Sequence, residues 1–454
     1  MTAAVARVGE VYTFRVRDGR FGACQVIAEH TSGREAQVEV ATLDYLKKKK
    51  PTLADAKELR VMRQDWGFWS GEPARIVVSA RPPWWAELVG ALPALETFDK
   101  PCGAYGLWQS ALARWYRESW TAREKVEAAA EPIELEGVTK HVTMERYRYD
   151  GNDPRFVDYI VQRKIRTAHW KVRGLKTIDL SRSILAELAL EVGDAPLTLH
   201  VPSTLEELTV FGSAHRVTVT GGAFGFPFRL RIVSPTIIGP PKGMEAVQIA
   251  EYSGLRETDS AALSKYTGLA ELTLRGAPGY LRDARGLAKL KTLRELSLYE
   301  LYDLDVAHWP ASWPALDAVE IQGIEQTDAA ALKKALKGIS AVEIRRTRTA
   351  KWVEENLGNP LRGWEDDNRA FGRAAGAAWK KAKVASAKAG AKTKKADAKA
   401  ILDTFVKTLN RLGQKQLIDT IRRDEAADAY FGLARAMSVS DADAEKWLDA
   451  IRDF

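Results

Sequence analysis

Four stretches in the second half of the chain share one hydrophobic beat. "LAELTL" starts at Leu269, "LRELSL" at Leu293, "LDAVEI" at Leu316 and "ISAVEI" at Ile339, spaced 24, 23 and 23 residues apart. In each, the last two apolar positions alternate, so the spacing predicts a short strand with one buried face and an entry residue packed beside it. Between them, "TDSAALSKYTG" (258–268) and "TDAAALKKALKG" (327–338) each open on a Thr-Asp pair and close on glycine. Those are helix start and stop signals. Upstream, "LKTIDL" (175–180), "LEELTV" (205–210) and "MEAVQI" (244–249) fit the same template, interrupted by the β-like runs "PLTLHV" (196–201), "HRVTVT" (215–220) and "FRLRIV" (228–233). Thinner, β-rich rungs, one of them a hairpin, are expected there. Near the N-terminus, 8–28 alternates around Asp18-Gly19 and predicts a hairpin, with further strands at 37–46 and 74–80.

A period in the twenties with L-x-x-L-x-L at each start resembles the leucine-rich repeat. The resemblance implies an α/β leucine-rich-repeat solenoid whose strands stack into a parallel sheet, because no single rung buries its own apolar face. The usual repeat carries Asn or Cys three residues beyond the strand, where this chain has Ala277, Leu301, Ile324 and Thr347. A short, flat solenoid is therefore expected. The positions between the leucines face outward, and they are the expected partner-binding surface: Glu271, Thr273 and Arg275; Glu295, Ser297 and Tyr299; Glu320 and Gln322; Glu343 and Arg345. Glu207, Thr209 and Phe211 extend the same columns upstream.

Gly9 with the alternation after it, Asp18-Gly19, the Phe21-Gly22 return and the valine-rich close near residue 80 give the first fifth of the chain its character. It resembles the immunity protein 26 family of bacterial polymorphic toxin systems. That resemblance implies a small β-rich domain in a cytoplasmic protein that neutralises a toxin by binding it. The repeat region and its flank "KWVEENLGNPLRGWED" (351–366) also resemble bacterial leucine-rich-repeat proteins labelled as gliding-motility proteins.

Seven of the fourteen tryptophans fall between 66 and 120. Trp108, Leu112 and Trp115 share a helical face and read as core, whereas "RPPWW" (81–85) cannot be helical at its prolines and is the better candidate for an exposed aromatic patch. Trp66 and Trp69 belong to the same cluster in sequence.

Positive charge is concentrated in one segment. The formal net charge is +8, but residues 380–399 hold eight lysines against one aspartate, leaving one net positive charge on all the rest. Alanine and lysine favour helix, so this stretch reads first as a solvated linker and second as a nucleic-acid-binding arm. A second basic stretch, 140–176, interleaves aromatics, and its "DPRFVDYIVQRKIR" reads as an amphipathic cap for the first rung. Beyond it, "AILDTFVKTLNRL" has a helical apolar face and Ser440-x-x-Asp443 opens a last helix in capping-box style.

The composition, 46% apolar and 28% charged, is that of a globular chain. There is no apolar run of membrane-spanning length and no signal-peptide pattern, and the two cysteines, Cys24 and Cys102, form no disulfide framework. A cytoplasmic location is expected. The six histidines show no metal-binding spacing, and no nucleophile elbow or phosphate-binding loop occurs, so neither catalysis, cofactor nor metal is expected. The expected organisation is a β-rich domain at 1–90, a connector and cap at 91–174, the solenoid at 175–350, a capping segment and Lys/Ala-rich linker at 351–399, and a helical domain at 400–454. The expected function is protein–protein interaction, as an immunity protein or a scaffold; the alternative is nucleic-acid association through 380–399.

Overall fold

A computed structural model describes residues 5–30, 36–64, 71–100, 102–124, 133–141, 146–309 and 313–453. The chain divides into two compact units, Met1–Arg345 and Arg346–Phe454.

The first unit begins with an antiparallel five-stranded sheet. Its strands are β1 (Glu10–Arg15), β2 (Phe21–His30), β3 (Gln37–Lys47), β4 (Arg75–Ser79) and β5 (Glu87–Ala91), in the order β4-β3-β2-β1-β5. The Asp18-Gly19 hairpin forms as the alternation requires, with Arg15 opposite Phe21 and Gly19 at a positive φ that suits a residue without Cβ. Short helix α1 (Leu53–Lys57) and helix α2 (Ala113–Glu124) flank it, and Trp108, Leu112 and Trp115 are buried against its apolar face.

The large sheet has eleven strands: β6 (Val138–His141), β7 (Arg146–Asp150), β8 (Thr167–Lys171), β10 (Glu187–Val192), β12 (Glu207–Gly212), β14 (Arg229–Val233), β15 (Ile249–Asp259), β16 (Glu271–Asp283), β17 (Glu295–Tyr302), β18 (Ala318–Glu325) and β19 (Ala341–Arg348). From β7 to β18 neighbouring strands are parallel, while β6 and β7 form an antiparallel hairpin. A separate three-stranded parallel sheet, β9 (Thr177–Asp179), β11 (Leu197–Val201) and β13 (Val217–Gly221), shares a core with it. The expected hairpin between 195 and 243 is not formed, because these runs pair in parallel across the two sheets.

The expected leucine-rich-repeat solenoid is corrected by this architecture, which is α/β with a large mixed sheet and a helical C-terminal portion. The leucine beat does produce strands, and Leu272, Leu274, Leu296 and Leu298 are buried. It does not produce one repeating unit. β14 spans 5 residues, β15 spans 11 and β16 spans 13, with register shifts where the long strands pair. The return segments differ as well. The 258–268 stretch is the end of β15 followed by a 3-10 turn at Ala261–Lys265, and another such turn spans Arg285–Lys289; only the 327–338 stretch gives a helix, α4 (Gln326–Ala335). The reason is local. Thr258 turns inward and accepts the Ile237 N–H, and Asp259 accepts from Ala261, so the Thr-Asp pair closes a turn rather than opening a helix. Successive turns also stack so closely that a Cβ on Gly286 would overlap the Ser260 carbonyl oxygen. The "DPRFVDYIVQRKIR" stretch supplies α3 (Phe156–Gln162), which buries Phe156, Tyr159 and Ile160 at the β7–β8 end of the core.

The second unit is helical: α5 (Ala350–Asn356), α6 (Trp364–Asp367), α7 (Arg369–Ala389), α8 (Lys395–Gly413), α9 (Thr420–Ala436) and α10 (Asp441–Ile451). Trp364, Phe371, Trp379, Leu402, Phe405 and Tyr430 are among its core residues. Ser440 caps α10 as expected, accepting the Asp443 N–H at 3.2 Å, but the reciprocal half of the capping box is replaced by its hydroxyl, which donates to the Asp443 carboxylate at 2.7 Å. Residues 380–399 run through the end of α7, a turn, and the start of α8, with Ala382, Ser386 and Ala398 packed inside.

Candidate functional site

Strand geometry sends alternate residues to opposite faces, so the buried leucines of β10 to β18 fix what points the other way. The register aligns Glu271 with Glu295, Thr273 with Ser297 and Glu320, and Arg275 with Tyr299 and Gln322. Eight of the ten expected partner-binding residues are thereby placed in three columns on β16, β17 and β18. Glu343 and Arg345 lie on β19, where Glu343 borders a cleft shared with Glu320.

Neighbouring parallel strands lie about 4.8 Å apart, so opposite charges in one column come within ion-pair reach. Glu207 on β12 is 3.3 Å from Arg231 on β14, which is 3.4 Å from Glu251 on β15, which is 3.8 Å from Arg275 on β16. The Arg275 guanidinium lies 4.1 Å over the Tyr299 ring, and the Tyr299 hydroxyl donates to Glu320 at 2.8 Å. Gln322 donates to the same carboxylate, and Arg345 pairs with Glu343. Burial and the bond to Glu320 push the Tyr299 phenol up to about 12. At the other end, Glu191 meets His169 at 2.9 Å, Lys171 at 3.6 Å and Arg148 at 3.8 Å, while His169 stacks on Phe211. Burial lowers the His169 pKa and raises that of Glu207.

The "RPPWW" loop, expected as an exposed patch, is half-buried at Arg81 to Trp84 and fully buried at Trp85. Trp85 is 6% exposed, packs edge-on to Phe14 and stacks on Phe226 at 4.7 Å; Trp84 meets the same phenylalanine edge-on at 5.9 Å. With Ile249 these rings join the core of the five-stranded sheet to the outward side of the large one, and Arg17 donates to the Leu205 carbonyl beside them. Each such aromatic burial contributes about 1.5–3 kcal/mol, so the loop is a fixed lid over part of the face.

Under that lid lie Glu271 and Glu295. Trp84 lies close to both carboxylates and Arg81 close to Glu295, with no hydrogen bond from the Trp84 indole N–H among the described residues. Burial raises the Glu271 pKa, and burial together with the adjacent Glu271 carboxylate pushes Glu295 up to about 7. Beyond the lid the columns lose side-chain volume, since Ala318 follows Glu295 and Ser340 and Ala341 follow in turn. This leaves a cleft of about 450 Å³ bordered by Arg81, Glu295, Ser297, Glu320, Ser340 and Glu343. A neighbouring cleft of about 310 Å³ runs from Arg81 and Glu295 toward Leu88, with Asp317 and its ion-pair partner Arg294 on its wall.

Sequence reasoning missed Arg231 and Glu251, which connect the columns, as well as Arg81 and Phe226. Arg231 was legible as an outward position of "FRLRIV" once that run was taken as a strand. Phe226 sits in a turn and carried no signal. Trp66 and Trp69 lie outside the described residues.

Among the described residues no three His, Cys, Asp or Glu side chains gather as ligands for a metal ion, and no helix is long and apolar enough to cross a membrane. Cys24 is free and buried, and burial pushes its thiol up to about 12, away from nucleophilic use at neutral pH. No family model matches the chain, and no curated protein and no solved structure matches it.

Proposed function

We propose that the chain is a non-catalytic binding protein that holds a protein partner at the β16–β19 end of the outward sheet face. The observation that carries this reading is the cleft beside Tyr299, where small residues open a depression and Glu295, Glu320 and Glu343 border it. Its charge fits a polypeptide segment that inserts a basic side chain. Tyr299 supports the reading, because Arg275 on one side and Glu320 on the other already hold its ring. A preorganised aromatic loses little entropy on binding, and Tyr and Arg are the residue types that dominate interface energetics. The β8–β14 part of the face has paired charges and Phe211 stacked on His169, which suits a solvated surface.

A toxin neutralised by being bound, as the resemblance of the first fifth of the chain implies, is one partner of this kind. A photo-crosslinking side chain in place of Val342, an exposed residue at the cleft, is expected to capture the partner in cells. The purified partner should then bind the Arg275→Ala, Tyr299→Ala double variant at least tenfold more weakly than the native chain. Full affinity in the double variant overturns the site assignment.

A further inference from the structure

The α7–α8 hairpin concentrates charge in a way the rest of the chain does not. Its eight lysines between 380 and 399 face one aspartate, Asp397, in the same stretch. Some of these lysines are tied down. Lys380 lies 3.5 Å from Glu355, Lys395 lies 2.8 Å from Asp443, Lys399 lies 2.6 Å from Asp403, and the Lys383 ammonium rests 4.7 Å over the Trp379 ring. The other four, Lys381, Lys388, Lys392 and Lys394, are exposed and have no ion-pair partner among the described residues.

Their placement is set by packing. Phe371, Ala375, Trp379, Ala382 and Ser386 of α7 are buried, so the helix has one fixed inner face. Lys381 and Lys388, seven residues apart, therefore share the opposite face about 10 Å from one another, and Lys392 and Lys394 lie exposed in the turn that follows the helix. These cations sit on a folded scaffold and not on a tether, so binding a polyanion orders only their side chains.

We propose that these four lysines bind the phosphate backbone of double-stranded nucleic acid without reading its sequence. Lysine supplies point charges without the planar bidentate fork that arginine uses to read guanine, so the contacts suit phosphate and not base edges. The hairpin offers a single strand nothing to stack on, because its two aromatic residues before Phe405, Phe371 and Trp379, are buried at 6% and 7% exposed. An acidic bilayer is the poorer fit, since Val384 is the single large apolar side chain exposed on this surface among the described residues.

The test uses the full chain and a fluorescent 24-base-pair duplex, made as DNA and as RNA, across a sodium chloride series. Four phosphate contacts correspond to a slope of about −3.6 in log affinity against log salt, or roughly a hundredfold loss between 50 and 200 mM. The Lys381→Gln, Lys388→Gln, Lys392→Gln, Lys394→Gln variant changes exposed residues only, and circular dichroism checks its fold. It is expected to flatten that slope by about 3.6. The corresponding quadruple arginine variant should keep both slope and affinity. The proposal is overturned if the glutamine variant binds like the native chain. It is equally overturned if the native chain binds no duplex, or binds phosphatidylserine vesicles and not the duplex.

Discussion

The outward face of the large sheet and the α7–α8 hairpin are both crowded with charge, but they handle it in opposite ways. On the sheet, strands about 4.8 Å apart bring unlike side chains within reach, so Glu207, Arg231, Glu251 and Arg275 connect across four strands. Attraction along this row is satisfied within the molecule, and what is left for a partner is a held tyrosine and the cleft that Glu295, Glu320 and Glu343 border. On the hairpin, like charges lie on the outer face of α7 and in the turn after it, with no carboxylate between them. Its potential reaches a Debye length into solvent and selects by sign alone. Charge density by itself thus says little about function until its pairing is known.

The largest effect is expected where the five-stranded sheet meets the large one. Trp85→Ala removes the ring packed between Phe14 and Phe226, and truncation of a buried tryptophan costs about 3–5 kcal/mol. Urea unfolding should show that loss. A cost below 1 kcal/mol would mean that the lid is not fixed.

A smaller effect is expected from the acids beneath the lid. The Glu295 pKa is raised from 4.5 to about 7, so the folded chain holds that proton more tightly than the unfolded one. The contribution to stability is complete below pH 4.5 and is lost as pH rises through 7, on the order of 2–3 kcal/mol across the window. The raised Glu271 acts in the same direction, while the lowered His169 pKa opposes it. Glu295→Gln keeps the shape and abolishes the titration, so it should stabilise the chain at pH 8 and flatten the melting-temperature profile between pH 5 and 8. An unchanged profile would contradict the burial of this carboxylate.

The smallest effect is expected from the paired charges themselves. Arg231→Gln breaks two half-exposed ion pairs, each worth less than about 1 kcal/mol in solvent. The denaturation midpoint should move little and duplex binding should not change. A drop in duplex affinity would show that the sheet contributes to the polyanion surface.

The strands from β15 onward were legible because leucines two apart, "LTL" and "LSL", declare a buried face at any register. The return segments were not, since a 3-10 turn of five residues leaves no periodicity to read, and Thr258-Asp259 serves a turn as well as a helix cap. The outward positions of β16 to β18 followed from the leucines directly. The lid over Glu271 and Glu295 did not, because Trp85 meets a phenylalanine 141 positions away that no local pattern marks. Likewise, the composition of 380–399 revealed its charge, but only the buried alanines reveal which lysines are held outward.

The most direct measurement compares the two ends of the sheet face. The purified partner is titrated by calorimetry against the native chain, the Arg275→Ala, Tyr299→Ala variant and an Arg148→Ala, Lys171→Ala variant at the β7–β8 end. At least a tenfold loss of affinity is expected for the first variant and a change within twofold for the second. The reverse order, or equal binding by all three chains, would contradict the assigned site.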